Sequence, residues 1–120
     1  MLENPANELV RWLNRLAAEQ PLIIVEGKKD VAALNALGLK NIIHLGKPLF
    51  EVVEDVAQIA KKVVILTDMD SKGKELYQVL SRDLQKNGVV VDNGFRHFLL
   101  KQTPLRHIEG LATFVSNLKK

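Results

Sequence analysis

The sequence predicts an α/β fold, a Rossmann-like three-layer sandwich in which helices flank a central four-stranded parallel sheet. Three observations support this prediction. Four short apolar runs lack polar alternation, segments with apolar residues at helical spacing separate them, and glycine or proline marks most boundaries. We expect a single domain over residues 1–120, with an N-terminal helix over 5–19 and a C-terminal helical extension over 93–118.

The first half of the chain alternates between helix and strand. Asn4 is expected to cap the first helix, and Pro5 suits its first turn. The apolar face of this helix consists of Leu9, Trp12, Leu13 and Leu16. The apolar run LIIV follows as a strand, KKDVAALNAL as a compact helix that ends at Gly38, and NIIHL as a second strand.

The second half repeats this alternation. The segment LFEVVEDVAQIAKK has apolar residues at helical spacing, VVIL reads as a third strand, and GKELYQVLSRDLQKNG reads as a helix that ends at Asn87 and Gly88. VVV is the fourth strand. The remaining segments, GFRHFLLK and, beyond Pro104, HIEGLATFVSNLKK, are predicted to be mainly helical.

The composition excludes several classes of protein. The chain has no cysteine, which rules out disulfides, cysteine zinc sites and thiol chemistry. No apolar run approaches the ~20 residues of a membrane span, and the N-terminal segment carries acids without an apolar signal-peptide core, so we expect a cytoplasmic protein without membrane association. The net charge of +3 allows a polyanionic partner without requiring one.

Acidic residues follow two of the predicted strands. Glu26 comes directly after LIIV, and Asp68 and Asp70 follow VVIL. Ligands of parallel sheets bind beyond the carboxyl ends of the strands, so adjacent first and third strands would bring the three carboxylates together. Their mutual repulsion favours a cation among them, and an all-oxygen ligand set suits Mg²⁺ first, with Mn²⁺ as an alternative.

Glycines and lysines accompany the acids. Gly27 follows Glu26 and Gly73 follows the aspartate pair, where each is expected to allow a tight turn into the next helix. The lysines beside the acids are Lys28, Lys29, Lys72 and Lys74. Helix N-termini attract anions, so acids for a metal and lysines for phosphate together indicate a phosphodiester site.

Simpler explanations exist for individual members of this set. Asp70 suits an ordinary helix cap at Ser71 or Gly73, and single lysines are more often solvated surface residues than ligands. Asp30 suits two roles equally, as a fourth acid of the site or as a first-turn helix acid. The combination of acid, glycine and lysine after two apolar strands is what favours the site.

The histidines and the larger aromatic residues are expected to be structural. His44, His97 and His107 are scattered without the spacing of metal ligands. Tyr77 lies on an apolar helix and is expected to pack there, and Trp12 is expected to lie in the core or at an interface.

The two motifs resemble those of the Toprim domain, which type IA and type II topoisomerases, bacterial-type primases and several nucleases share. The segment IIVEGKKDV resembles the glutamate motif after the first strand of that domain, and VVILTDMDSKG resembles its aspartate motif after the third. Order, spacing and strand context agree over roughly residues 22–91. The alternatives compared with it, haloacid-dehalogenase phosphatases and response-regulator receivers, place their acids on other strands or require residues that this chain lacks.

The resemblance implies a role for each matched residue. Glu26 would be the general acid/base for phosphodiester chemistry, and Asp68 and Asp70 would hold Mg²⁺. Asp30 matches an acid that follows the glutamate motif in many primases and nucleases. Lys72 departs from the pattern, because many members carry a third acid there, and it suits a phosphate contact instead.

The resemblance implies two functions of different classes. The leading one is a small Mg²⁺-dependent nuclease or phosphodiesterase acting on RNA or DNA, because Glu26 accompanies both aspartates. The alternative is a metal- and nucleic-acid-binding module without turnover, such as an accessory subunit, which Lys72 favours. The choice between RNA and DNA and the oligomeric state stay open at this point.

Overall fold

A computed structural model describes residues 5–118, so the predicted cap Asn4 lies outside the described residues. Helices and strands alternate in the predicted order. In chain order they are α1 (Pro5–Glu19), β1 (Leu22–Val25), α2 (Lys28–Ala36), β2 (Ile42–His44), α3 (Leu49–Ile59), β3 (Lys62–Ile65), α4 (Ser71–Lys86), β4 (Val90–Asp92), α5 (Gly94–Gln102), a 3₁₀ turn (Ile108–Gly110) and α6 (Leu111–Leu118).

The four strands form one parallel sheet in the order β2-β1-β3-β4. The central strands β1 and β3 pair directly, with Ile23 opposite Val64. Every residue of β1 is buried, and so is β3 beyond Lys62, whereas the edge strand β2 is only partly buried throughout. Burial on both faces therefore holds for the central strands and not for the edges.

Two apolar layers, one on each face of the sheet, build the core. On one face, side chains of α1, α2, α5 and α6 pack against Ile23, Val25 and Val64. On the other, side chains of α3 and α4 pack against Leu22, Ile24, Val63 and Ile65. Alternate residues of each central strand serve opposite layers because side chains alternate along a strand. This arrangement confirms the predicted three-layer α/β fold.

Two glycines end helices as predicted. Gly38 after α2 and Gly88 after α4 have φ values of 87° and 80°, in the left-handed region that closes helices. Trp12 is partly buried against the first apolar layer, with its ring centroid 5.7 Å from that of Phe95, so its ring contributes to the core and an interface role stays a prediction.

The C-terminal extension is mainly helical, as predicted, with an irregular stretch between its two helices. α5 ends at Gln102, residues 103–107 have no regular structure, and α6 begins at Leu111 after the 3₁₀ turn. We refer to residues 103–110 as the 103–110 segment. Pro104 cannot donate a backbone hydrogen bond, which explains why α5 does not continue into it. None of the helices within residues 5–118 has the length and apolar character needed to cross a membrane.

Candidate functional site

The carboxyl ends of β1 and β3 bring the predicted acids together. Glu26 directly follows β1, and its Oε2 accepts a hydrogen bond of 2.7 Å from the backbone N–H of Asp68. Asp68 and Asp70 follow β3, and each offers a carboxylate oxygen to a group whose ligand atoms all lie within 4.8 Å of one another. We call this region the acidic crevice, defined by Glu26, Asp68 and Asp70.

Asp68 is fixed by hydrogen bonds in three directions. Its backbone N–H reaches Glu26, its carboxylate Oδ1 accepts from the backbone N–H of Ile108 at 2.8 Å, and its carbonyl oxygen accepts from Arg96 at 2.8 Å. The backbone of the 103–110 segment therefore orients the side chain through Oδ1, and the carboxylate still offers an oxygen to the group of ligand atoms.

Asp70 has the capping role that the simpler explanation predicts, and it also faces the crevice. Its Oδ1 accepts a 2.8 Å hydrogen bond from the backbone N–H of Gly73, so it is the N-cap of α4. Its other oxygen, Oδ2, lies 3.4 Å from Nε2 of His107. The two oxygens have different neighbours, so Asp70 caps α4 with Oδ1 while Oδ2 remains on the crevice side beside His107.

His107, which the sequence analysis expects to be structural, lies at the acidic crevice. The structure places its imidazole beside Asp70, and His107 completes the group of ligand atoms within 4.8 Å formed with Asp68 and Asp70. Sequence spacing gave no signal for this, because His107 lies in the irregular 103–110 segment. That segment reaches the crevice only through tertiary packing.

Arg96 on α5 is a second site residue that the motifs do not reveal. Only 6% of the residue is exposed, and its guanidinium donates to the carbonyl oxygens of Thr67 at 3.3 Å and Asp68 at 2.8 Å. It also lies over the ring of Tyr77, 4.7 Å from the centroid. Tyr77 therefore packs in the fold as predicted. Arg96 provides a buried positive charge next to the acidic crevice.

The electrostatics move the pKa values of two site carboxylates in opposite directions. Burial raises the pKa of Glu26, and repulsion from the charges of Asp68, Asp70 and Asp30 adds to this, although the hydrogen bond from Asp68 opposes it. The hydrogen bond from Gly73 lowers the pKa of Asp70, with help from His107 and Arg106. A proton therefore prefers Glu26, and a negative charge prefers Asp70.

Asp30 takes the helix role of the two that the sequence left open. It is 6% exposed, and its Oδ2 accepts a 3.1 Å hydrogen bond from the backbone N–H of Gly27 at the start of α2. Burial raises its pKa, and the charges of Asp68 and Glu109 add to this. Asp30 therefore supports the backbone that follows Glu26 and stays outside the close group of ligand atoms.

The two motif glycines have different structural reasons. A Cβ on Gly73 would lie 2.0 Å from the carbonyl oxygen of Asp68, so only glycine permits this approach of α4 to the aspartate motif. The carbonyl of Gly73 also accepts a 2.7 Å hydrogen bond from the buried hydroxyl of Thr67. Gly27, in contrast, lies between β1 and α2 with extended backbone, φ −148°, and open space around it, so the turn there does not depend on glycine.

The four predicted phosphate lysines lie at the starts of two helices. Lys28 and Lys29 are the first two residues of α2. Lys72 and Lys74 are the second and fourth residues of α4. All four are exposed, and within the described part of the chain none forms an ion pair. Their positions near the carboxyl edge of the sheet suit contacts with an anion.

The fold and the crevice together define a class of protein, a parallel α/β domain with carboxylates at the ends of its two central strands. The sequence pattern of the Toprim domain matches residues 20–93, and the chain belongs to this family. The matched span contains Glu26, Asp68 and Asp70 and ends before Arg96 and His107.

Known relatives extend the similarity over most of the chain. It is 35% identical to a UPF0292 protein of Methanosarcina barkeri over 116 residues, which are 93% of this chain and 81% of the relative. It is 33% identical to a UPF0292 protein of Methanocaldococcus jannaschii over 107 residues, 85% of this chain and 84% of that one. A solved structure of a protein from Aquifex aeolicus is similar with a TM-score of 0.75 and 36% identity, covering 86% of this chain and 94% of that chain.

Proposed function

We propose that this protein is a Mg²⁺-dependent phosphodiesterase or nuclease that acts on nucleic acid at the acidic crevice. Membership of the Toprim family supports a metal-dependent function related to nucleic acids. The observation that carries the proposal of catalysis is the placement of the carboxylates, since the Asp68 amide holds Glu26 beside a group of ligand atoms from Asp68 and Asp70. The pKa values of these carboxylates diverge accordingly, because that of Glu26 is raised and that of Asp70 is lowered. Such a divergence is how enzymes separate an acid/base from a charged ligand.

The donor set fits a divalent cation. Asp68 and Asp70 each use one oxygen to accept from a backbone N–H, which orients the other, and the imidazole of His107 completes the group within 4.8 Å. Carboxylate oxygens suit Mg²⁺ or Mn²⁺, and an imidazole nitrogen adds a preference for Mn²⁺. A bound ion of this kind would supply electrostatic stabilisation of the charge on a phosphodiester.

Glu26 is assigned the proton transfer. It lies outside the close group of ligand atoms, and the Asp68 amide holds its carboxylate in place. The pKa of Glu26 is shifted towards neutral pH, which suits a group that both takes up and releases a proton. Glu26 would accept a proton from an attacking water or hydroxyl and return it to the leaving oxygen. The exposed lysines at the starts of α2 and α4 would contact the phosphates that flank the reacting one.

The test is a cleavage screen with purified protein. Structured RNA, single strands and duplex DNA are each incubated with Mg²⁺, Mn²⁺ or EDTA. Glu26→Gln is expected to reduce the metal-dependent rate about 10²- to 10⁴-fold. Glu19→Gln is the matched control, because this exposed glutamate ends α1 and lies before β1, at the opposite edge of the sheet.

A second candidate is a metal- and nucleic-acid-binding module without turnover. The observation that favours it is Arg96, whose buried charge sits behind the acids, while Lys72 occupies the position of a third acid. The positive charges of Arg96 and Lys72 partly neutralise the site carboxylates, so a second metal ion is less needed for charge balance. If wild type binds nucleic acid without cleaving any substrate, and Glu26→Gln binds as well as wild type, the binding module is the function.

A further inference from the structure

The 103–110 segment is attached to the aspartate motif at three successive residues. The carbonyl oxygen of Arg106 accepts a 2.8 Å hydrogen bond from the backbone N–H of Met69. His107 lies 3.4 Å from Asp70, and the N–H of Ile108 donates to Asp68 at 2.8 Å. Ile108 and Met69 are buried in the core, so this attachment is part of the fold and not a loose surface contact.

The attachment places the backbone of an exposed arginine, Arg106, beside the acidic crevice. Arg106 is exposed, and within residues 5–118 its guanidinium has neither a hydrogen bond nor an ion pair. Other arginines are engaged elsewhere, since Arg15 stacks on Trp12 and Arg82 pairs with Asp83. Its backbone carbonyl accepts from Met69, the residue between Asp68 and Asp70, so Arg106 begins next to the acidic crevice.

We propose that Arg106 binds a phosphate of the nucleic-acid chain beside the acidic crevice, which makes the 103–110 segment a substrate-binding element. This rests on the proposed function. The fork of N–H donors on a guanidinium matches two oxygens of a phosphate, and a backbone held at Arg106 and at the two residues after it reduces the entropy lost on binding. Arg106 thereby offsets the repulsion between the phosphates and the site carboxylates.

A phosphate contact and a purely structural role have different signatures. Removing the Arg106 charge should weaken polynucleotide binding, and it should leave Mg²⁺ affinity unchanged or higher, because a cation has left the neighbourhood of Asp70. Damage to the fold would instead weaken both. Thermal unfolding should change little, since only the Arg106 carbonyl takes part in the attachment.

The experiment compares Arg106→Gln, Arg106→Lys and Arg82→Gln with wild type. The two glutamine variants lose the same charge, and Arg82 lies more than two turns along α4 from Asp70. Binding of a labelled oligonucleotide is measured by fluorescence anisotropy at several salt concentrations, with a mononucleotide as competitor, and Mg²⁺ binding by calorimetry. We expect Arg106→Gln to bind about tenfold more weakly with a salt slope reduced by about one, Arg106→Lys to recover part of the loss, and Arg82→Gln to match wild type.

The outcomes separate this inference from the proposed function. If wild type binds the oligonucleotide and Arg106→Gln behaves as Arg82→Gln does, the inference is overturned while the proposed function stands. If a mononucleotide competes as well as the oligonucleotide, the site recognises a small phosphorylated ligand and the polynucleotide contact is refuted. If wild type binds no nucleic acid with or without metal, the proposed function fails, and the inference fails with it.

Discussion

The carboxylate of Glu26 accepts a hydrogen bond of 2.7 Å from the backbone amide of Asp68, 42 residues further along the chain. This bond joins the two motifs of the site directly. It exists because β1 and β3 are neighbours in the sheet, with their carboxyl ends at the same edge. Glu26 therefore has two separable properties, an oxygen that holds the aspartate motif in place and a charge that can take up a proton.

Two substitutions at Glu26 should have different effects on the free energy of unfolding, because one removes only the charge and the other removes the hydrogen-bonding oxygen as well. Glu26→Gln keeps an acceptor oxygen and removes a charge that burial and repulsion disfavour, so its stability at pH 7 should equal or exceed that of wild type. Glu26→Ala leaves the Asp68 amide without its partner and should cost about 1–3 kcal/mol. Urea unfolding measures both values. Equal losses for the two variants would contradict the hydrogen-bonding role.

Gly73 should tolerate no side chain. A Cβ there meets backbone atoms of Asp68 at 2.0, 2.5 and 2.8 Å, so Gly73→Ala must displace either α4 or the aspartate motif. We expect a loss of about 1–3 kcal/mol, as for other overpacked sites, together with weaker metal binding. Gly27→Ala is the control, because nothing lies within 4 Å of its Cβ, and a cap change there costs about 1 kcal/mol at most. Similar losses for both variants would refute the close-approach argument.

Arg96 should act as a built-in counter-charge for the acids. Arg96→Met leaves the carbonyls of Thr67 and Asp68 without their donor and should lower stability by about 1–3 kcal/mol, with Arg96→Lys between it and wild type. Repulsion among the acids also rises when the cation is lost. Mg²⁺ should therefore raise the melting temperature of Arg96→Met more than that of wild type.

Thermal unfolding with and without Mg²⁺ checks the Arg96 prediction. Arg15→Met is the matched control, because it also removes an arginine that lies over an aromatic ring, here Trp12 on α1. The control should lose little stability and respond to Mg²⁺ as wild type does. An identical Mg²⁺ response in Arg96→Met and Arg15→Met would show that Arg96 does not balance the charge of the crevice.

Local patterns in the sequence were sufficient for the part of the site that two strands deliver. LIIV and VVIL are apolar throughout, which predicts buried parallel strands, and the acids that follow them must lie at one edge of the sheet. The convergence of Glu26 and Asp68 needed one further condition, adjacency of β1 and β3, which the structure shows. This part of the site could be predicted because its acids directly follow the strands β1 and β3 in the sequence.

The rest of the site depends on packing between distant elements, which no local pattern records. Arg96 reads as an ordinary polar residue of a C-terminal helix, and its burial follows only from the way α5 packs behind β3. His107 belongs to an irregular segment whose backbone is held by the N–H of Met69 and by the carboxylate of Asp68. Backbone donors and acceptors are the same in every sequence, so these bonds leave no signal in it.

Asp30 should make the stability depend on pH in the acidic range. Its folded pKa is raised, so the folded state holds the proton more tightly than the unfolded state does. The free energy of unfolding should therefore fall as the pH rises from the ordinary value, about 4, through the raised folded pKa. Asp30→Asn keeps an oxygen that can accept from Gly27 and removes the titration, so it should flatten part of this slope. Urea unfolding between about pH 3 and 7 tests this against Glu19→Gln, an exposed carboxylate. An unchanged slope in Asp30→Asn would count against the buried charge as its cause.

His107 should determine which divalent cation the crevice prefers. Its imidazole lies in the same 4.8 Å group as the carboxylate oxygens of Asp68 and Asp70. Imidazole nitrogen suits Mn²⁺ better than Mg²⁺, which prefers oxygen ligands and keeps its waters. His107→Gln should weaken Mn²⁺ binding at least about tenfold, since even the loss of a residue that only supports a metal ligand has an effect of this size. It should change Mg²⁺ binding much less.

Calorimetry with each ion at pH 7.5 measures this preference. Asp70→Asn should weaken both ions, because it removes a charged oxygen that either would use, and His97→Gln should weaken neither, since that exposed residue of α5 lies outside the group. If His107→Gln weakened the two ions equally, the imidazole would act through the position of Asp70 and not as a ligand. If it changed neither, the ions would bind by the carboxylates alone, and the contact between His107 and Asp70 would serve only to hold the 103–110 segment.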